Sequence, residues 1–316
     1  MTDAAATHKP DGLESVTLHG AHDGLEAAWA PGASLVLHSL KLRGRELLGQ
    51  KDGLSGYAER AKTMGIPLLH PWANRLSRFG YRAAGRLVTL DRANPRFPVD
   101  PNGLPIHGAL PSLLRWEVVA TEADNGGARM HARLAWASSH PAFGLFPYPH
   151  RLDYYALVTE RSVGITVRLA PTEEQPVPVS FGFHPYLRIP SGPRANAQIT
   201  LPVRRRLVLD ESMIPTGETE PFKPGRRSLG ASTWDDGFCD LPPAALFVVS
   251  SGDREVSLTF LRGYPFAQVY APAGSDFVCF EPMTAPTNAL VRGGPDLKLA
   301  APGERYEAGF ELAVAS

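Results

Sequence analysis

Apolar and polar residues alternate with a period of two along most of this chain, and that pattern restricts it to folds built from strands. Residues 128–136 show it clearly, because one face of the segment carries Met130, Ala132, Leu134 and Trp136. Successive side chains of a strand point to opposite faces, so such a segment buries one face and leaves the other polar. The pattern predicts an all-β protein whose strands each contribute one face to a core.

Further segments with this alternation, or with a short apolar run between turn residues, predict strands at 34–40, 152–159, 163–169, 197–203, 206–210, 246–250, 256–261, 267–270, 276–280 and 307–314. Only 55–62 and 287–291 have the character of helices. Thirty prolines in 316 residues are about twice the average share, and proline is poorly tolerated inside helices and central strands. We therefore predict one large antiparallel β-sandwich domain with few short helices over residues 1–316, with 1–12 as a flexible tail.

The charge balance and hydropathy of the chain exclude several classes of partner. Its 32 basic and 32 acidic residues give no net charge, which indicates neither nucleic acid nor an anionic membrane as partner. The basic run 204–206 is expected to be a solvated turn. No segment approaches the roughly 18 apolar residues of a membrane span, and residues 1–10 lack the apolar region of a secretory signal. Cys239 and Cys279 have no partner at metal-ligand spacing. We expect buried, reduced thiols in a cytoplasmic protein.

Two segments place an ionisable side chain beside a strand. Glu281 directly follows the apolar run 276–280. A carboxylate held at a rigid strand end can be partly desolvated, which raises its pKa toward a value suited to proton transfer. His184 occupies a similar place in the aromatic segment 181–186. A carboxylate and an imidazole together can remove a proton from one oxygen and deliver one to another. Either residue alone could be structural, and their joint occurrence favours catalysis.

Four motifs occur in order along the chain: P-L-L-H-P-W-A-N-R-L at 67–76, N-G-L-P-I-H-G at 102–108, F-G-F-H-P-Y at 181–186 and E-P-M-T-A-P-T-N-A-L at 281–290. Together they resemble the aldose 1-epimerases, or galactose mutarotases, and the resemblance extends from about residue 35 to the last strand. It implies a β-sandwich of the galactose-mutarotase type that uses no metal and no organic cofactor. The implied activity is interconversion of the α and β anomers of a free aldose such as glucose or galactose.

The resemblance also implies roles for the two ionisable residues. Mutarotation opens a cyclic hemiacetal, turns the aldehyde about C1–C2 and closes the ring on the other face. Glu281 would be the general base on the C1 hydroxyl, and His184 the general acid at the ring oxygen. Closure would reverse both roles. Each positioned acid or base typically increases the reaction rate about 10²–10⁴-fold.

Four further residues are implied as substrate-binding. His107 resembles the second histidine of the family site, and Arg75 its arginine, a fork of donors for sugar hydroxyls. Asn74 either shapes the loop or touches the sugar. Asp235, in the sequence T-W-D-D-G-F, is expected to accept hydrogen bonds from hydroxyls, with Asp236 as its rival.

Several alternatives stay open at this point. Trp72 either stacks on a sugar ring or lies in the core. Relatives that act on hexose 6-phosphates use extra basic residues near the first motif, and Arg78 and Arg82 lie close enough in sequence to allow that substrate. A carbohydrate-binding sandwich without catalysis is the remaining alternative. The sequence leaves the oligomeric state open and implies a small sugar as the only partner. Five other histidines are interpreted as structural: His38, His70, His131, His140 and His150.

Overall fold

The computed structural model describes residues 5–315, and strands dominate them. In chain order the strands are β1 (Ala5–His8), β2 (Ser15–His19), β3 (Leu25–Ala30), β4 (Val36–Leu42), β5 (Arg45–Glu46), β6 (Leu68–Leu69), β7 (Gly80–Ala83), β8 (Arg86–Thr89), β9 (Glu117–Asp124), β10 (Gly127–Trp136), β11 (His150–Val158), β12 (Ser162–Pro171) and β13 (Val177–Val179). They continue with β14 (Gly182–Phe183), β15 (Tyr186–Arg188), β16 (Gln198–Leu201), β17 (Arg205–Leu209), β18 (Pro215–Pro221), β19 (Gly225–Ser228), β20 (Trp234–Cys239), β21 (Ala245–Ser251), β22 (Arg254–Arg262), β23 (Phe266–Ala271), β24 (Phe277–Met283), β25 (Lys298–Ala300) and β26 (Tyr306–Ala315). The helices are α1 (Gly53–Arg60) and α2 (Ala289–Arg292), with 3₁₀ turns at Pro10–Gly12, Pro111–Leu113, Phe143–Leu145 and Arg194–Asn196.

Two large antiparallel sheets form the sandwich. The nine-stranded sheet has the order β19-β16-β21-β22-β26-β12-β11-β10-β9. The eight-stranded sheet has the order β18-β17-β20-β23-β24-β14-β6, with β15 also paired to β24. The two sheets meet through aromatic pairs, Phe183 with Phe310 at 5.0 Å between ring centroids and Phe247 with Phe280 at 5.4 Å. The predicted all-β sandwich is confirmed.

The alternation read from the sequence places side chains in this core as predicted. In β10, Met130, Leu134 and Trp136 are buried, whereas Arg129 and Ala135 on the other face are exposed. One hydrophobic cluster collects buried residues from β2 to β26 and joins both sheets. Burial of alternating apolar side chains is the main favourable contribution to such a fold.

Strand β24 departs from simple alternation because every one of its residues is buried. Val278 and Phe280 join the core between the sheets. Since successive residues point to opposite faces, Cys279 and Glu281 lie on the other face of the eight-stranded sheet, where loops cover them. This second buried face holds the site described below.

Three details of the sequence prediction need correction. Of the expected tail 1–12, residues 1–4 lie outside the described residues, and β1 is instead a paired strand, with Ala6 opposite Thr17 in β2. The basic run at 204–206 is not a turn, because Arg205 and Arg206 lie in β17. The sequence also missed β18, whose prolines and glycine are typical of a loop, although prolines are tolerated at a sheet edge such as this one.

No helix within residues 5–315 is long and apolar enough to cross a membrane.

Candidate active site

A cavity of about 320 Å³ lies over the covered face of the eight-stranded sheet. All six residues that the sequence analysis singled out line it: Asn74, Arg75, His107, His184, Asp235 and Glu281. They come from five separate parts of the chain, which the fold brings together in one place.

Strand register explains why the two carboxylates share this cavity. Glu281 pairs with Gln268 across β23 and β24, while Asp235 pairs with Tyr270 two residues further along β23. Paired and alternate residues of neighbouring strands share a sheet face. Asp236 pairs with Val269 on the opposite face. Its carboxylate accepts a hydrogen bond from Arg206 at 3.2 Å, so only Asp235 of the two faces the cavity.

His184 and Glu281 are in direct contact. Nε2 of His184 lies 3.3 Å from Oε1 of Glu281, and the two side chains are only 7% and 2% exposed. His184 lies in the connection between β14 and β15, where its backbone N–H donates to the carbonyl of Pro67 at 3.1 Å. The predicted acid and base therefore form one buried pair.

Burial favours the neutral form of both members of this pair. It raises the pKa of Glu281 well above its usual range, an effect that Asp235 increases and that Arg75 and Lys51 oppose. It lowers the pKa of His184 well below its usual range, and His107, Lys51 and Arg75 lower it further. These directions favour a neutral imidazole beside a protonated carboxyl, an arrangement that holds one proton between the two groups.

Three buried polar atoms of the cavity residues have no hydrogen-bond partner within residues 5–315: His107 Nδ1, His184 Nδ1 and Glu281 Oε2. Buried polar atoms are nearly always satisfied in folded proteins, and each exception requires an explanation. Their grouping in one cavity indicates that a polar ligand completes the arrangement.

Arg75 is fixed by carboxylates on either side. Its Nε donates to Oδ2 of Asp100 at 2.7 Å, and one Nη lies 3.8 Å from Oδ2 of Asp235. The other Nη donates to Oδ1 of Asn74 at 3.1 Å. Gln268 donates to the second oxygen of Asp235 at 2.6 Å. These contacts leave the guanidinium 14% exposed with a set orientation.

His107 reaches the cavity from a tightly constrained loop. Its φ of 61° is left-handed, which few residues other than glycine adopt. The next residue, Gly108, passes so close to His70 that a Cβ would lie 2.3 Å from the His70 carbonyl oxygen. The imidazole ring of His107 lies 5.6 Å from that of His184. Burial, with Arg75 and Lys51, lowers the pKa of His107 to about 3, so this ring is neutral and offers one donor and one acceptor.

Five other residues of the cavity wall were not predicted from the sequence: Lys51, Lys62, Thr63, Tyr186 and Tyr270. Tyr186 ends the F-G-F-H-P-Y motif, and its place in the same motif as His184 could have identified it. Lys51, Lys62 and Thr63 belong to no motif. Nothing in their local sequence predicts that they reach the site.

Other residues weighed in the sequence analysis lie elsewhere. Trp72 is 1% exposed and lies in the core beside Phe97. Arg78 and Arg82 are exposed and are not part of the cavity wall. Of the two cysteines, Cys279 is buried, whereas Cys239 is only half-buried; both are free.

The histidines interpreted as structural make contacts outside the cavity. His38 contacts the hydroxyl of Ser15 at 2.7 Å, and His131 contacts Asp153 at 2.9 Å. His70 and His150 contact each other at 3.1 Å, and His140 stacks on Trp136. No group of His, Cys, Asp and Glu side chains within residues 5–315 is arranged to hold a metal ion.

Comparison with known proteins identifies the family and the fold. A family model described as aldose 1-epimerase matches residues 31–313. A galactose mutarotase-like protein from Clostridium acetobutylicum has the same fold, with a TM-score of 0.83 at 18% identity over 99% of this chain and 98% of that one. A galactose 1-epimerase from Lactobacillus acidophilus gives a TM-score of 0.74 at 14% identity over 98% of each chain. No curated protein sequence matches the chain.

Proposed function

Because this chain belongs to the aldose 1-epimerase family, we propose that it interconverts the α and β anomers of a free hexose such as glucose or galactose. The observation that carries the proposal is the buried contact of His184 with Glu281, 3.3 Å long, in a cavity whose wall also holds groups that can bind hydroxyls. An acid and a base that share one proton suit a reaction that moves a proton between two oxygens of one substrate.

The proton balance of the reaction follows from this pair. In its reactive form the shared proton lies on His184 and Glu281 is a carboxylate. Glu281 removes the proton from the C1 hydroxyl while His184 delivers its proton to the ring oxygen, the C1–ring oxygen bond breaks and the C1 carbonyl forms. Rotation about C1–C2 exposes the other face of the aldehyde. Closure returns both protons, so the pair ends as it began.

The raised pKa of Glu281 favours this chemistry. A carboxylate of ordinary pKa is a weak base toward a hydroxyl, and general-base efficiency rises with basicity as long as the group can ionise near the working pH. Arg75 and Lys51 oppose the increase in pKa and so keep the ionised form accessible.

The remaining cavity residues would orient the sugar. Arg75 offers donors and Asp235 offers acceptors to neighbouring hydroxyls, while His107 and Asn74 can do both. Because Asp100 and Gln268 already fix Arg75 and Asp235, these groups lose little freedom when substrate binds. The volume of about 320 Å³ lies at the small end of the range for small-molecule sites, about 300–1,000 Å³.

A hexose 6-phosphate is the second candidate substrate, and one observation favours it. Lys51 and Lys62 line the cavity together with Arg75, and three cations in one cavity suit an anionic substituent. The arginines that first suggested this substrate, Arg78 and Arg82, do not contribute to the cavity. A binding module without catalysis is less well supported, because it has no use for a buried acid–base pair.

Polarimetry of freshly dissolved sugars tests the proposal. Wild-type protein should accelerate the relaxation of α-D-glucose or α-D-galactose without changing the final rotation. Acceleration with glucose 6-phosphate alone would select the second candidate. Saturable sugar binding without acceleration of any of the three would reject the enzyme and support the binding module.

A further inference from the structure

Tyr186 and Lys51 flank His184, and the proposed reaction gives Tyr186 no role. The rings of Tyr186 and His184 are parallel, with 3° between their planes and 4.5 Å between their centroids. Lys51 in turn donates a hydrogen bond to the Tyr186 hydroxyl at 3.1 Å. We propose that Tyr186, anchored by Lys51 and Thr63, is a positioning residue that fixes the plane of the His184 ring and, with the Lys51 charge, sets how readily that ring releases its proton.

The stacked geometry determines what Tyr186 can do. Its hydroxyl oxygen is 3.3 Å from Nε2 of His184. Because the two rings are parallel, this oxygen lies above the imidazole ring and outside its plane. A hydrogen bond to a ring nitrogen lies in the plane of the ring, along the lone pair. The contact is therefore a face-to-face one, and it leaves the in-plane direction of Nε2 to Glu281 and the substrate.

Tyr186 is itself held on several sides. Thr63 Oγ1 lies 2.6 Å from its hydroxyl, and the Lys51 ammonium lies 4.2 Å from its ring centroid. In β15 the residue pairs with Cys279 of β24, next to Glu281 on the same sheet face. Tyr186 is 1% exposed. A side chain fixed in this way transmits its position to the ring stacked on it.

Lys51 adds a charge to this arrangement. It forms no ion pair with a carboxylate within residues 5–315, and its backbone is left-handed, with φ 39°. The ammonium opposes a second positive charge on His184, whereas the face of Tyr186 favours one. The ionisable groups that face His184 are Lys51, Arg75, His107, Glu281, Tyr186 and Tyr270. Arg75 is the permanent cation among them, whereas burial lowers the pKa of Lys51.

This inference rests on the proposed function, and the test separates the two. The variants are Tyr186→Phe, Tyr186→Leu and Lys51→Met, with Lys62→Met as the matched control. Lys62 lines the same cavity, but the charges that act on His184 are those of Lys51, His107 and Arg75. The readouts are kcat, KM and the pH profile of kcat/KM with an unphosphorylated aldose, and the titration of isotope-labelled His184 by NMR, which needs no substrate.

The expected results differ between the variants. Tyr186→Leu should lower kcat about 10-fold or more while KM changes little, because the acid is misoriented and binding groups are untouched. Tyr186→Phe keeps the stacked ring and should lose only a few-fold in kcat. Lys51→Met should move both limbs of the pH profile and the His184 titration upward by about half a unit or more, since a nearby positive charge is removed. Lys62→Met should move neither.

Two results would overturn the inference: an unchanged kcat in Tyr186→Leu, or equal pH shifts in Lys51→Met and Lys62→Met. If Tyr186→Leu does not fold, the kcat of Tyr186→Phe and the pH shifts of Lys51→Met still test the inference. If wild-type protein accelerates no aldose, the proposed function fails. The NMR titration of His184 in Lys51→Met then decides the inference alone, and a midpoint that does not move rejects it.

Discussion

Two pairs of neighbouring histidines, His70 with His150 and His107 with His184, differ in their surroundings, and only the second pair lines the cavity. In the first pair, Nε2 of His70 lies 3.1 Å from Nε2 of His150, and Nδ1 of His150 contacts the Tyr148 carbonyl at 2.6 Å. In the second, the rings of His107 and His184 are 5.6 Å apart. Burial lowers the pKa of all four imidazoles.

The two histidine pairs differ in the residues that surround them. His70 and His150 are surrounded by Trp136 and Phe146, and the charges that act on them come from other histidines. His107 and His184 have Glu281, Arg75 and Lys51 around them. Each pair contains a buried ring nitrogen without a partner, so that feature alone does not distinguish them. A buried imidazole becomes a candidate catalyst when an ionisable partner and a cavity accompany it.

Replacement of one histidine from each pair should separate catalysis from stability. His184→Asn should lower turnover about 10²–10⁴-fold, the usual contribution of a general acid, with little change in thermal stability. His150→Asn should leave turnover within a few-fold and reduce the free energy of unfolding by about 1–3 kcal/mol, because His70 loses its partner. Polarimetry and denaturant unfolding measure both effects. Equal losses of turnover would remove the distinction between the pairs.

Acid should destabilise the fold through the buried histidines, and the structural pair should contribute to it. The pKa of His150 is lowered to about 4, as is that of His38, below the value of about 6.5 in the unfolded chain. Between these values the unfolded state binds more protons, so stability is complete above pH 6.5 and falls as the pH drops toward 4. The expected loss is roughly 2–3 kcal/mol for each histidine.

Unfolding by urea at pH 7, 5.5 and 4.5 measures this slope. In His150→Asn the free energy of unfolding should fall less steeply as the pH drops, by about the contribution of one histidine, because the unfolded variant no longer gains that proton. A slope that is the same in the variant and in wild type would contradict the structural role of His150.

The adjacent aspartates Asp235 and Asp236 of β20 allow a second comparison, because Asp235 faces the cavity and Asp236 does not. Asp235→Asn should raise KM about 10-fold, since a charged hydrogen bond to a sugar hydroxyl contributes roughly 1.5 kcal/mol. Asp236→Asn, the matched control, should leave KM unchanged because its partner is Arg206. Progress curves at several sugar concentrations give both values. A larger effect in the control would mean that the register of β20 and β23 does not determine which aspartate binds.

The strands with the clearest alternation could be predicted from the sequence, because alternation is a local property, whereas β3 and β9 were not predicted. The expected segments 128–136, 152–159 and 163–169 correspond to β10, β11 and β12 within a few residues. Strand β18 could not be recognised, because its composition, P-T-G-E-T-E-P, is typical of a turn and only its place at the sheet edge makes it a strand.

The residues of the site follow the same division. The six predicted residues lie in segments that resemble sequences of the family, whereas Asp100 and Lys51 do not. Asp100 contacts Arg75 across 25 positions of sequence, and Lys51 contacts Tyr186 across 135. Such contacts depend on how loops fold over the sheet. No local pattern specifies them.

The central claim, that Glu281 and His184 act as one proton-sharing pair, is tested most directly by a double-mutant cycle. Polarimetry would compare Glu281→Gln, His184→Asn and the double variant with wild type. If the residues act as a unit, each single variant loses most of the acceleration and the double variant retains about the same residual rate. Losses that multiply in the double variant would show that the two residues act independently, and would contradict the account.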